Sequence, residues 1–110
     1  MTSFLHAVAL VGSERVTAES FLPYAAGILA VLDGTLPGLA SDADRRDYHG
    51  DEDNLDMELR AIEHVVEASA ARGIDTTVPE LPRSVMAAAV ADGHGRDGFS
   101  RVVEVLRAAR

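Results

Sequence analysis

The residues of this chain whose types and spacing could carry chemistry fall into three groups. The first is Gly93-His94-Gly95-Arg96-Asp97-Gly98, which satisfies the letters G-x-G-x-x-G of a loop that cradles a pyrophosphate. That chemistry needs a strand before the loop and a βαβ unit after it. Here a helical pattern precedes the run and only twelve residues follow, so neither a sheet nor a ribose-binding acid can be built. The run reads instead as a left-handed helix cap at Gly93 and a tight bend into the next helix at Gly95 and Gly98. The second group is acidic: Asp42, Asp44, Asp47, Asp51, Glu52, Asp53, Asp56 and Glu58. Counted from Asp47 as a twelve-residue calcium loop, it has His49 at position three and Glu52 where a glycine is required. Solvated surface and favourable charge at a helix N-terminus account for the run without a cation.

The third group is the four histidines, His6, His49, His64 and His94. No two stand four apart on a helix, and Glu63, His64 and Glu67 do not reproduce the Glu-x-x-His spacing of a di-iron bundle. No Gly-x-Ser-x-Gly elbow organises a nucleophile. The reading is therefore no metal site and no catalytic residue, with His64 on an amphipathic helix and His49 in a loop.

Composition bounds the rest. The 110 residues suit one small domain, read as 1–110, and cannot hold a nucleotide domain plus a substrate domain. With no cysteine, disulfides, thiolate metal sites and cysteine nucleophiles are excluded. A net charge of −8, with all ten basic residues arginine and scattered, argues against nucleic acid and anionic membrane surfaces. The opening run MTSFLHAVALVGSER has no basic leader and is too short to span a membrane; a cytoplasmic location is expected.

The elements that must position these residues are helical. Gly50 to Asp75 carries the longest helical pattern, a central helix over about 53–72. One apolar strip holds Leu55, Leu59, Ile62, Val66 and Ala70, and a second holds Met57, Ala61, Val65 and Ala68. Two strips predict burial on two sides; Asp51, Glu52 or Asp53 would cap the start and Gly73 the end. Before it, Ser3 would cap a helix carrying Phe4, Ala7, Val8 and Val11, and Thr17 a helix from Ala18 to about Leu32. The inward face of that second helix would be Phe21, Leu22, Ala25, Ile28, Leu29 and Leu32, stopped by Asp33-Gly34, with Pro37 allowing only a short turn beyond. After a connector, Ile74 to Pro79, a helix with Leu81, Val85, Met86 and Val90 inward ends at Gly93. A last helix carries Phe99, Val102, Val103 and Leu106. The fold class is all-α, about five main helices.

Several segments together, FLHAVAL, TAESFLPYA, DYHGD, NLDMELRAIEHVVEASAARGID and AVADGHGRDGFSRVVEVLR, resemble the C-terminal helical domain of NADPH-dependent imine reductases and reductive aminases. These belong to the β-hydroxyacid dehydrogenase-like group, whose helical part is 6-phosphogluconate dehydrogenase C-terminal-like. The resemblance covers nearly the whole chain. It implies a domain that interlocks with a second subunit and faces an NADPH-binding Rossmann domain across the active site. On that analogy Asn54, Leu55, Met57 and Glu58 would line the substrate pocket, with Met57 an apolar wall and Glu58 a polar group. The alternative is that Leu55 and Met57 are core and Glu58 a solvated first-turn acid.

The 110 residues contain neither the Rossmann segments of that family nor the helix position where its members usually carry an Asp or Tyr proton donor, and neither Tyr24 nor Tyr48 aligns with it. The chain is thus expected to bind no cofactor alone, NADPH entering only with a Rossmann-domain partner. The leading expectation is a homodimeric, pocket-forming helical domain that is not catalytic by itself. One alternative is half of a split imine reductase; another is a small-molecule binding module.

Overall fold

The second helix sets the shape of the molecule. The computed structural model describes residues 1–108, and its elements run α1 (Thr2–Gly12), α2 (Ala18–Arg45), α3 (Leu55–Ala71), α4 (Thr77–Ala89), a π-helical turn (Val90–His94), a 3₁₀ turn (Phe99–Arg101) and α5 (Val102–Arg107). The described residues hold no strand, and the five helices match the all-α expectation. At 1.5 Å per residue a 28-residue helix is about 42 Å long, the longest dimension of the molecule at 43 Å. The Cα radius of gyration, 15.3 Å, exceeds the roughly 13 Å of a compact chain of this length.

The expected stop at Asp33-Gly34 does not occur. α2 continues through Gly34 and Pro37 to Arg45, where Arg46 takes a left-handed conformation (φ 51°) and closes the helix. An interior Gly costs about 1 kcal/mol and an interior Pro about 3, so the continuation must be held from outside the local sequence. Anchors stand at both ends. Phe4 stacks on Phe21, ring centroids 6.0 Å apart. At the other end Ser100 Oγ donates to Asp42 Oδ2 at 2.8 Å, and an Arg107 N–H reaches the Ala43 carbonyl at 3.3 Å. Between them none of the helix is buried, and the face expected to point inward is solvent-exposed at Leu22, Ile28, Leu29 and Leu32. By length and composition alone α2 is also apolar enough to cross a membrane, with a mean hydropathy of 1.3 over 18 residues.

The core lies elsewhere, where α3 packs on α4. Leu55, Met86 and Ala89 are buried there, with Leu59, Ile62, Val90, Val102 and Val105 against them. The first apolar strip of α3 is inward from Leu55 to Val66 but not at Ala70, which is exposed; in the second, Met57 is 57% exposed and Ala61 is exposed, while Val65 and Ala68 are half-buried. Leu81, expected inward on α4, is 69% exposed, and Ala89 takes the inward place. α4 starts at Thr77, earlier than the Pro79 of the reading, because Asp75 accepts from the Thr77 N–H at 2.8 Å. In α1 the side chain of Ser3 caps nothing and Thr2 opens the helix. The last helix is shorter than read and turns Val102 and Val105 inward, leaving Phe99 and Leu106 exposed.

One carboxylate ties α5 back to the end of α2. Glu104 accepts from Tyr48 Oη at 2.5 Å, from Arg46 at 2.8 Å and from Arg107 at 2.7 Å. The Tyr48 hydrogen bond, first, and the two guanidinium groups hold the Glu104 carboxyl below its ordinary range, while burial and that same carboxylate raise the Tyr48 phenol. Leu55 is wholly buried, so Leu55→Ala should cost about 2–5 kcal/mol of stability, whereas Leu81→Ala should stay within about 0.5. Urea denaturation of the two variants checks the assignment of the core.

Candidate functional site

The glycine run and the start of α3 form one structural unit. The first turn of any helix leaves N–H groups without intrahelical partners. Here Leu55 N donates to the Asp97 carbonyl and Asp56 N to the Gly95 carbonyl, both at 2.9 Å, and Met57 N to Asn54 Oδ1 at 3.0 Å. The cap is therefore Asn54 with the carbonyls of the Gly93–Gly98 loop, and not Asp51, Glu52 or Asp53 as the charge pattern suggested. Gly93 takes φ 93°, the left-handed conformation read for it. Gly95 and Gly98 serve close approach more than bending: a Cβ at Gly95 would overlap the Asp56 carboxylate, and one at Gly98 the His49 carbonyl oxygen. Gly98 N also donates to the Tyr48 carbonyl at 3.1 Å. The loop presents carbonyls to a helix, not N–H groups to a phosphate.

Beside this unit lies a groove of about 900 Å³ between the C-terminal half of α2, the Asp47–Asn54 loop, the first turn of α3 and the 3₁₀ turn. Leu32, Leu39 and Phe99 give it apolar surface; Asp42, Asp53 and Glu58 give it carboxylates. Of the four residues that the resemblance assigns to a pocket, Glu58 lines this groove. Asn54 is spent as the helix cap, Leu55 is in the core at 0% exposure, and Met57 is exposed outside the groove. Burial, then the negative charge of Asp53 and a hydrogen bond to it, raise the Glu58 carboxyl above its ordinary value.

The sequence reading did not single out Leu32, Leu39, Asp42, Phe99 or Ser100 for this site. Leu32 and Phe99 looked like core because they repeat at helical spacing, and only the unexpected length of α2 brings Leu39 and Asp42 beside Phe99. Among the histidines, His94 lies between Arg101 (2.8 Å) and Asp97 (3.4 Å), and His49 pairs with Asp47 at the surface. Arg101 also covers the Tyr48 ring, its guanidinium carbon 5.3 Å from the centroid. These contacts brace the loop.

Comparison with known proteins follows the geometry. The family described as NADPH-dependent reductive aminase-like, C-terminal domain, matches residues 1–108. Among solved structures, an imine reductase from Bacillus cereus is similar with a TM-score of 0.94 and 33% identity over 99% of this chain and 38% of its own. A reductive aminase from Aspergillus terreus, in complex with cyclohexanone and allyl amine, is similar with a TM-score of 0.91 and 35% identity, covering 96% of this chain and 38% of its own. An imine reductase from Streptomyces aurantiacus gives 0.88 and 30%, covering 96% and 37%. The chain thus spans little more than a third of the length of these enzymes. No curated protein sequence matches it.

The Glu58 carboxyl supplies a check on the groove. An unfolded Glu releases its proton near 4.5, while the folded one holds it to higher pH. Folding is therefore penalised as pH rises through that interval, and the penalty is absent below it. Glu58→Gln should raise the Tm at neutral pH, and the gain should vanish under acid conditions where Glu58 is protonated in both states. Thermal unfolding of the two proteins across that range reads the difference.

Proposed function

The chain belongs to the NADPH-dependent reductive aminase-like C-terminal domain family, and from that premise we propose that it supplies the helical, pocket-forming part of an enzyme that reduces C=N bonds. In this reading two copies associate through α2, and the groove under Glu58 forms one wall of the substrate site. The hydride donor NADPH and the proton donor come from a Rossmann-domain partner; this chain alone is not catalytic. Within the groove, Glu58 and Asp53 supply negative potential beside Leu32 and Phe99, an arrangement that favours a cationic iminium or amine with an apolar body.

The observation that carries the dimer is the unburied face of α2. Leu22, Leu29 and Leu36 recur every seven residues, each followed three residues later by Ala25, Leu32 and Leu39 in turn, the spacing of a helix that packs along its length on another. Leu22, Leu29, Leu32 and Leu36 are each 45% exposed or more. A contiguous apolar strip of this kind on an 11.7 kDa chain marks an interaction surface. The family match favours protein over lipid as its cover.

Sedimentation should show a dimer at micromolar concentration, and Leu29→Glu with Leu36→Glu should return it to monomer while helicity by circular dichroism is kept. A wild-type chain that stays monomeric sinks the dimer. For the catalytic half of the reading, NADPH-dependent reduction of a cyclic imine should appear when this protein is mixed with a separately expressed Rossmann-domain protein of the family, and be missing from either alone.

A further inference from the structure

A second groove, of about 860 Å³, shares no residue with the first. It runs between the start of α1, the middle of α3 and the start of α4, and its walls are mainly apolar: Ile62, Val65, Val78, Leu81 and Pro82. His6 is its one imidazole, and the hydrogen bonding around His6 fixes which nitrogen does what. Ser69, fully buried, donates its single hydroxyl hydrogen to the Val65 carbonyl at 2.7 Å. Its contact with His6 Nε2, at 3.2 Å, must then be an N–H donated by the ring to the Ser69 oxygen. In the neutral ring the other nitrogen, Nδ1, is left as an acceptor, and among the described residues it has no hydrogen-bond donor. Thr2 and Ser3 also line the groove, and several of its other polar groups are already engaged. Glu80 is held by Arg83 at 2.6 Å, Ser84 Oγ donates to the Leu81 carbonyl, and the neighbouring Asp75 accepts from Thr77.

We infer that this groove is a small-molecule site for a compact apolar molecule carrying one O–H or N–H group, which donates to His6 Nδ1 while its body lies on Val65, Leu81 and Pro82. Ser69 is the positioning residue: it holds the ring in the tautomer that can accept. Apolar walls with a few placed polar groups are the usual make-up of such sites, and an oriented acceptor in this setting discriminates by hydrogen bonding where the walls do not.

The test uses cyclohexanol as the probe and cyclohexyl methyl ether, which has the same ring and no donor, as its control. In the free protein at mildly alkaline pH, long-range proton–nitrogen spectra should show His6 protonated on Nε2 and bare on Nδ1. Cyclohexanol should shift the His6 Nδ1 resonance and the Val65 and Leu81 methyl signals saturably, and the ether should bind about tenfold more weakly, the loss expected for one hydrogen bond. His6→Phe should bind the two probes alike. Should that variant fail to fold, Leu81→Glu, at an exposed position, should abolish binding of both. A ring protonated on Nδ1, equal binding of both probes to the wild type, or no saturable shift would each overturn the proposal. So would groove signals that move with protein concentration alone, since a second copy would then fill the groove.

Discussion

Most of this structure depends on how the first turn of α3 satisfies its free N–H groups. Three of them are taken by Asn54 Oδ1 and by the carbonyls of Gly95 and Asp97, so a loop some forty residues away in sequence becomes the cap of the central helix. Burying that turn without such partners would cost about 1–3 kcal/mol for each orphaned group. The cap also places Leu55 at the centre of the core and Glu58 at the groove, because both lie within a turn of it. It further explains the small residues of the loop: Gly98 sits against the His49 carbonyl and Gly50 against that of Arg96, and a backbone can approach a carbonyl so closely only where the residue facing it carries no Cβ.

The same cap shows how far local sequence reasoning reaches. Helix existence, order and the α3 strip from Leu55 to Val66 were legible, because burial against one neighbour imposes the 3.6-residue period directly. The glycine letters were legible in the negative: with no strand around them they could not serve a phosphate. Their partner was not, since nothing in GHGRDG names Leu55 or Asp56. Likewise the four pocket assignments rested on resemblance, and only Glu58 lies at the groove; Leu55 and Met57 differ by two positions on a helix and so point to different sides.

The largest departure, the run of α2 through Gly34 and Pro37, has a different cause. Local propensity disfavours it by several kcal/mol, and the tertiary contacts beyond Pro37, at Asp42 and Ala43, oppose that preference. Its consequence reaches the groove. A helix stopped at Leu32 would leave Leu39 and Asp42 out of reach of Phe99 and Ser100, and the groove under Glu58 would lose one wall.

The core itself is small for the chain. Among the described residues the buried apolar side chains are Tyr48, Leu55, Pro79, Met86 and Ala89, whereas Leu22, Ile28, Leu29, Val31, Leu32 and Leu36 on one helix remain in water. Apolar area contributes about 25 cal/mol per Å² when covered, so much of the hydrophobic stabilisation encoded in these 110 residues is not realised within one copy. That unrealised part is available to any surface that covers the exposed face of α2. The groove offers shape and negative potential from α2, α3 and the 3₁₀ turn. Leu32 belongs to both surfaces, lining that groove and standing on the exposed face of α2, so whatever covers the helix there also reshapes the groove.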